Sequence, residues 1–170
     1  MRGLCHHEGM VAPEVEIRRV DAEHAGELLT LRRAAFVTEA QITGDPNIPP
    51  LTQTLDELVE DLERADVITL GAWAGHRLVG SVRVLLEGPK ATLGRFAVAP
   101  DVQGLGLGTQ LMFAVAGALP DGTEEIWVFT SQDSVQNIAL YNKHGYSHEF
   151  DQRTGDLTYA YLRKIIGESA

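Results

Sequence analysis

At 170 residues, with 44% apolar residues and one cysteine, the chain has the composition of a single globular domain without a disulfide framework. The net charge of −10 argues against nucleic acid as a partner, since neutralising phosphates requires clustered lysine and arginine. No apolar run reaches the length of a membrane span, so no membrane association is expected. A lone cysteine fits a reducing compartment and predicts a cytoplasmic protein, and the acidity suits a cationic small substrate.

The chain is expected to begin with a disordered tail over residues 1–13, followed by one domain over residues 14–166. The first residues lack the apolar segment and cleavage-like site of a secretory signal. Cys5, His6 and His7 are metal-ligand types, but nothing else of that type lies near them in the sequence. No metal site is therefore expected.

The amino-terminal part is predicted to hold an edge strand and two helices. Weakly alternating apolar residues predict the strand over Glu14–Val20, and Asp21 is placed to cap the first helix. Thr54 and Glu57 have the spacing of a capping box that opens the second helix. The glycine and prolines of Gln41–Gln53, between the two helices, predict an irregular segment.

The remainder is predicted to contain six strands, two helices and no internal repeat. Gly75 and His76 form a tight turn between the first two of these strands, and a turn over Arg153–Gly155 joins the last two. Gly145 is placed to end the second helix. The predicted strands and the carboxy-terminal helix are Val67–Ala74, Leu78–Glu87, Thr92–Val98, Glu125–Thr130, Tyr146–Phe150, Leu157–Ile165 and Ser134–Lys143.

A glycine-rich turn between a strand and an apolar helix is the most informative feature of the sequence. Glycines on alternate positions, from Gly104 to Gly108, leave the backbone open to a ligand at the start of the helix. The free N–H groups and the helix dipole at such a terminus bind anions, so a diphosphate is expected there. The spacing fits neither a dinucleotide fingerprint nor a P-loop. A tight connection without a ligand is the alternative.

Two motifs resemble those of the GNAT superfamily of N-acetyltransferases. Gln103, Gly106 and Gly108 match the pattern Gln/Arg-x-x-Gly-x-Gly/Ala of that family's coenzyme A pyrophosphate loop. Further along, Asn137 is followed four residues later by Tyr141, and Gly145-Tyr146 closes the predicted helix, as in the family's second motif. The two motifs stand in the family's order, and the resemblance extends from about Glu14 to Ile165.

The resemblance implies an α+β fold with a mixed, mostly antiparallel central sheet flanked by helices, in which two central strands splay apart around coenzyme A. It implies acetyl-CoA as co-substrate and no metal. A backbone N–H between Phe96 and Val98 would polarise the thioester carbonyl. The residues implied to bind the cofactor are Phe96, Ala97, Val98, Gln103, Gly104, Leu105, Gly106, Leu107, Gly108, Thr109, Ser134, Asn137 and Tyr141.

The same resemblance assigns Tyr141 as the general acid, which would protonate the departing thiolate; the alternative is a tyrosine that packs or binds. Ser134 is expected to cap its helix. The strand before the glycine turn carries no carboxylate, although many relatives have a glutamate there. The base is therefore sought at Glu39, Asp45 or Glu87, or in a water relay.

The leading hypothesis is direct acetyl transfer from acetyl-CoA to the primary amine of a small molecule. Glu39 and Asp45 are expected to attract that amine, held by the irregular segment and the final hairpin. Alternatives are a non-catalytic module that senses acyl-CoA, and an acyltransferase for a hydroxyl, a peptide amine or a longer acyl chain. A homodimer is left open.

Overall fold

The computed structural model describes residues 11–167, which build one seven-stranded sheet with helices packed against it. The expectations for residues 1–10, including Cys5, His6 and His7, lie outside the described residues. The strands β1 to β7 are Glu16–Arg19, Val67–Ala74, Arg77–Glu87, Lys90–Val98, Glu125–Ser131, Ser147–Thr154 and Leu157–Ile165. The helices α1 to α5 are Ala25–Thr43, Pro49–Thr52, Leu55–Glu63, Leu107–Ala118 and Val135–Lys143.

The sheet has the order β1-β2-β3-β4-β5-β7-β6, and its neighbours are antiparallel except for the parallel pair β4 and β5. This confirms the predicted α+β class with a mixed, mostly antiparallel sheet. The parallel pairing joins Lys90–Thr92 to Glu125–Trp127. Beyond Thr92, β4 pairs with β3 on one side, and no strand of the described residues pairs with its other side. A gap therefore opens in the middle of the sheet.

The segment before α3 is more helical than its prolines predict. The side chain of Asp21 accepts a hydrogen bond from the Glu23 N–H at 3.1 Å, starting a 3-10 turn that leads into α1. Helix α1 continues to Thr43, and the supposedly irregular segment contains α2. Pro49 and Pro50 open α2 because the first helical turn needs no N–H donors and suits the fixed φ of proline.

Local signals for helix starts and turns are mostly confirmed. Thr54 and Glu57 form the predicted capping box at α3, and Gly75-His76 joins β2 to β3. The final hairpin differs, since Thr154 pairs with Leu157 and its turn is Gly155-Asp156 rather than Arg153–Gly155. Strand β6 is correspondingly longer than predicted.

The core lies between the sheet and helices α1, α3 and α4. Strand β2 is buried along nearly its whole length, whereas every residue of β6 is exposed. Helix α4 is fixed on the sheet by four buried side chains, Leu107, Leu111, Met112 and Val115. Among residues 11–167, no helix is both long and apolar enough to cross a membrane.

Candidate active site

A cleft with a volume of about 520 Å³ lies where β4 leaves β5, and we call it the glycine cleft. It is bounded by β4, the glycine turn, the start of α4 and one face of α5. Its lining residues are Ala35, Phe96, Val98, Gln103, Gly104, Gly106, Leu107, Gly108, Thr109, Met112, Gln136, Asn137, Leu140 and Tyr141.

The amino-terminal end of α4 presents free backbone donors to this cleft. Gly106 is the N-cap, with a φ of 88°, and the first intrahelical bond runs from the Gln110 N–H to its carbonyl at 3.1 Å. The N–H groups of Leu107, Gly108 and Thr109 precede that bond, and no side chain of the described residues caps the helix. Apart from the adjoining residues and the backbone of α4 itself, no atom of the described residues lies within 4 Å of a Cβ built at Gly106 or Gly108. Free donors beneath open space suit the diphosphate of coenzyme A.

Val98 turns its backbone polar groups towards the gap. The Ala99 N–H donates to the Val79 carbonyl on β3 at 2.8 Å. Because hydrogen-bonding direction alternates along a strand, the N–H and C=O of Val98 point away from β3. The Gln103 side-chain amide donates to this carbonyl at 3.2 Å, which ties the glycine turn to the strand. The Val98 N–H is left as a donor facing the cleft.

Helix α5 supplies the opposite wall. Asn137 and Tyr141 share one helix face, as their spacing of four residues predicts, and both line the cleft. Tyr141 is 8% exposed, and burial raises the pKa of its phenol to about 12. The hydroxyl is therefore protonated at neutral pH and available as a donor. Gly145, with a φ of 92°, ends the helix, and the Tyr146 N–H donates back to the Tyr141 carbonyl at 3.0 Å.

Three of the predicted cofactor residues do not line the cleft. Ala97 is buried in the core, and Leu105 is half-buried in the turn. Ser134 occupies the N-cap position of α5, but its side chain makes no capping bond among the described residues, so the predicted cap is wrong. Its hydroxyl instead accepts a 3.5 Å hydrogen bond from the side-chain amide of Asn137. The lining residues that sequence reasoning missed are Ala35, Met112, Gln136 and Leu140.

A second pocket of about 350 Å³ lies beside the cleft, and we call it the arginine pocket. Apolar and aromatic side chains from α1, α2 and the strands form most of its wall, together with two arginines and one glutamate. Its lining residues are Phe36, Glu39, Ile48, Pro49, Pro50, Arg83, Leu85, Thr92, Gly94, Arg95, Phe129 and Tyr159.

The two cavities meet along β4. Thr92, Gly94 and Arg95 line the arginine pocket, while the next residues, Phe96 and Val98, line the glycine cleft. Ser81 of β3 pairs with Ala97, and Arg83 pairs with Gly94, so that β4 has one residue more than β3 between these two pairs. The extra residue forms a bulge, which includes Arg95 at a φ of 53°. The bulge turns consecutive residues of one strand towards two different cavities.

The structure brings one of the three candidate bases to the arginine pocket. Glu39 lines it, and partial desolvation raises the pKa of the Glu39 carboxyl while the nearby Arg95 guanidinium opposes that rise. The side chain of Asp45 instead accepts the Asn47 N–H at 2.8 Å in an exposed turn, and Glu87 is exposed at the end of β3. Neither is part of the pocket lining.

Sequence reasoning had no signal for most of the pocket. Four different strands carry the lining residues Arg83, Arg95, Phe129 and Tyr159. Alternation along a strand predicts which residues share a face but not which cavity they reach. Tyr159 fits the expectation that the final hairpin contributes to this region. Among the described residues, no group of three or more His, Cys, Asp or Glu side chains could hold a metal ion.

Comparison with known proteins gives one family. The model of the acetyltransferase (GNAT) family matches residues 32–146. The UPF0157 protein YqkA of Bacillus subtilis (strain 168) is 26% identical over 130 residues. That match covers 76% of this chain, and the chain spans only 36% of the length of this relative.

Solved acetyltransferase structures have the same fold. The PaiA N-acetyltransferase of Thermoplasma acidophilum, in complex with coenzyme A, has a TM-score of 0.75 and 18% identity over 90% of this chain and 99% of that chain. The ribosomal-protein-S18-alanine N-acetyltransferase of Escherichia coli has a TM-score of 0.76 and 16% identity over 92% and 97% of the two chains. At such low identity the likeness concerns the fold alone.

Proposed function

The chain belongs to the acetyltransferase (GNAT) family and is an acyltransferase, and from that premise we propose that it transfers the acetyl group of acetyl-CoA directly to the primary amine of a small molecule. The glycine cleft is the proposed cofactor site and the arginine pocket the proposed acceptor site. The main support is that the two cavities adjoin along β4. Two reactants held on either side of one strand would meet at a high effective concentration.

The residues of the glycine cleft suit coenzyme A. The free amides of Leu107, Gly108 and Thr109 would bind its diphosphate, and the apolar wall and Asn137 would hold its pantetheine arm. Acetyl-CoA supplies an activated acyl carbon: a C–N bond to the acceptor forms, the C–S bond breaks, and the amine loses a proton. The work left to the protein is to place the reactants and to manage charge and protons.

Glu39 is the proposed base. An amine is mostly protonated at neutral pH and must lose a proton before it can attack. A carboxylate whose pKa is raised accepts a proton more readily than an ordinary surface glutamate. Glu39 has such a carboxyl and lies in the lining of the proposed acceptor site. It would take the proton directly or through one water.

Val98 and Tyr141 are the proposed electrostatic partners of the reacting group. The Val98 N–H faces the cleft and would stabilise negative charge on the acyl oxygen, a contact worth roughly 10²–10³ in rate. Tyr141 would donate its hydroxyl proton towards the departing sulfur. A phenol with a pKa of about 12 is a weaker acid than a thiol, whose pKa is about 8.5. Hydrogen-bond donation is therefore the larger part of its proposed role.

A screen tests the proposed function. Purified protein is incubated with acetyl-CoA and a panel of primary amines, hydroxyl compounds and peptides; thiol release is followed and acetylated products are identified by mass. We expect product with at least one small amine. Tight acetyl-CoA binding without thiol release above the background hydrolysis rate on any acceptor would favour the sensing module, and product only from peptides would favour a peptide acceptor.

A further inference from the structure

The arginine pocket is surrounded by more positive than negative groups, although the chain as a whole carries a net charge of −10. Three guanidinium groups, those of Arg32, Arg83 and Arg95, lie close enough together to repel one another electrostatically. The carboxylates near them are those of Asp61, Glu39 and Asp66, and the last of these is neutralised by its own pair with Arg64. The local balance is therefore opposite in sign to that of the whole chain.

Arg83 is already paired. Its Nε and Nη2 atoms donate to the two carboxylate oxygens of Asp61 at 2.8 and 2.7 Å. Burial alone would raise the pKa of Asp61, but the hydrogen bonds and charge of Arg83 outweigh burial and lower it. The carboxylate stays ionised and neutralises Arg83, so the positive excess falls on the other two arginines.

Arg32 is buried without a partner. Its side chain is 1% exposed, and none of its three guanidinium nitrogens has a hydrogen-bond partner among the described residues. Burial and then the nearby Arg95 lower the pKa of Arg32 to about 10, so it is still charged at neutral pH. It lies one turn before Phe36 on α1, which lines the pocket. Because solvent is largely excluded from this buried site, the charge of Arg32 acts on the pocket with little dielectric screening.

Of the two arginines in the pocket wall, Arg95 is the one without an ion pair among residues 11–167. It lines the pocket from the β4 bulge, where its φ of 53° is unusual for a residue with a side chain. Among the described residues, no carboxylate forms an ion pair with it, although Glu39 and Asp61 lie near enough to affect it. Backbone strain of this kind persists where the surrounding structure holds a residue in place, often at a ligand site.

From these contacts we infer that the acceptor is a small primary amine that also carries an anionic group, a carboxylate or a phosphate, bound by Arg95 in the field of Arg32. This inference rests on the proposed function. Glu39 would face the amine, and Phe36, Phe129 and Tyr159 would contact the apolar part of the molecule. An amine with no anion would leave Arg95 without a counter-charge in the pocket wall, beside the positive charge of Arg32, which disfavours it.

The test uses pairs of compounds that differ in the anion. Phenylalanine, leucine and methionine are compared with phenethylamine, 3-methylbutylamine and 3-(methylthio)propylamine, and phosphoethanolamine with ethanolamine. Thiol release gives kcat/KM, and calorimetry with the protein saturated with desulfo-coenzyme A gives the dissociation constant of each compound. We expect the anionic member of at least one pair to exceed its partner at least about tenfold in both measurements. The carboxylate and phosphate arms identify which anion is preferred.

Arg95→Gln is the matched variant. It should abolish the anion preference by weakening the anionic compounds at least about tenfold, while the affinity for acetyl-CoA stays within about twofold. Arg153→Gln removes an exposed arginine of the final hairpin and should change neither. Thermal unfolding of both variants checks that they are folded.

The outcomes separate this inference from the proposed function. One outcome is that the wild-type protein binds the anionic compounds preferentially, that Arg95→Gln abolishes this preference, and that no compound is acetylated. This result would support the anion site while refuting acetyl transfer to these amines. Equal or better binding of the anion-free partners would overturn the inference, as would no binding of any member. Loss of acetyl-CoA affinity in Arg95→Gln would also overturn it, because the arginine would then serve the cofactor.

Discussion

Replacing Gly106 with valine separates backbone strain from cofactor contact. The N-cap of α4 adopts a left-handed conformation with a φ of 88°, and a Cβ built there has no atom of the described residues within 4 Å apart from those of the adjoining residues. The substitution therefore strains the backbone, while its Cβ enters open space. Gly122 is the matched control, since it has a φ of 91°, an equally open Cβ position and no place in the cleft lining.

The structure sets the expected sizes of both effects. A side chain in the left-handed region costs about 1–3 kcal/mol, which corresponds to a fall in Tm of roughly 2–12 °C for a chain of this length. Both variants should show this loss. The Gly106 variant should also lose at least one charge-assisted hydrogen bond from the α4 amides to the diphosphate, worth about 1.5–3 kcal/mol. Its acetyl-CoA affinity should fall roughly 10- to 100-fold.

Calorimetric titration with acetyl-CoA and thermal unfolding by circular dichroism measure the two quantities on the same samples. Gly122→Val should keep the wild-type dissociation constant despite its lower Tm. If Gly106→Val is folded and binds acetyl-CoA as tightly as Gly122→Val does, the diphosphate does not lie on the amino-terminal end of α4. The reasoning from the free amides would then be wrong.

Three further substitutions test the remaining assignments. Tyr141→Phe should lower kcat at least about tenfold with the acetyl-CoA dissociation constant nearly unchanged. Tyr146→Phe, at a tyrosine outside the cleft lining, should not lower kcat. If kcat of Tyr141→Phe equals that of the wild type, Tyr141 is not the donor. Glu39→Gln should remove the part of the fall of kcat/KM in acid that comes from protonation of this carboxylate, whose pKa is raised, and leave only the fall caused by protonation of the acceptor amine. Asp45→Asn should keep both parts, and an unchanged profile in Glu39→Gln would exclude Glu39 as the base. Asp61→Asn leaves a part-buried guanidinium unpaired and should lower the free energy of unfolding at pH 7 by about 3–5 kcal/mol. The pKa of Asp61 is lowered on folding. The stabilisation by the Asp61–Arg83 pair is therefore fully present at pH values above 3.8, the ordinary pKa of aspartate, and is lost as the pH falls below that value. Denaturant unfolding at pH 7 and in acid measures it, and a loss below about 1 kcal/mol at pH 7 would contradict the reasoning.

The sequence alone was enough for features set by neighbouring residues. A glycine-rich turn before an apolar helix indicates a helix amino-terminus open to an anion, whatever surrounds it. Asn137 and Tyr141 share a helix face because a spacing of four residues returns to the same side. The capping box of Thr54 and Glu57 starts α3, and Gly145 ends α5. Each of these signals acts within one turn of its helix. Such signals need no knowledge of the rest of the chain, and the family resemblance rested on them.

The acceptor side depended on the tertiary structure. Glu39, Arg83 and Arg95 come from a helix and two strands, and their meeting depends on strand register and on one extra residue in β4. No local pattern encodes that bulge. Asp45 looked equivalent to Glu39 in sequence, yet its side chain is used in a turn. The acidic composition suggested a cationic substrate, but net charge is a sum over the surface, whereas a pocket responds to the few charges that packing brings beside it.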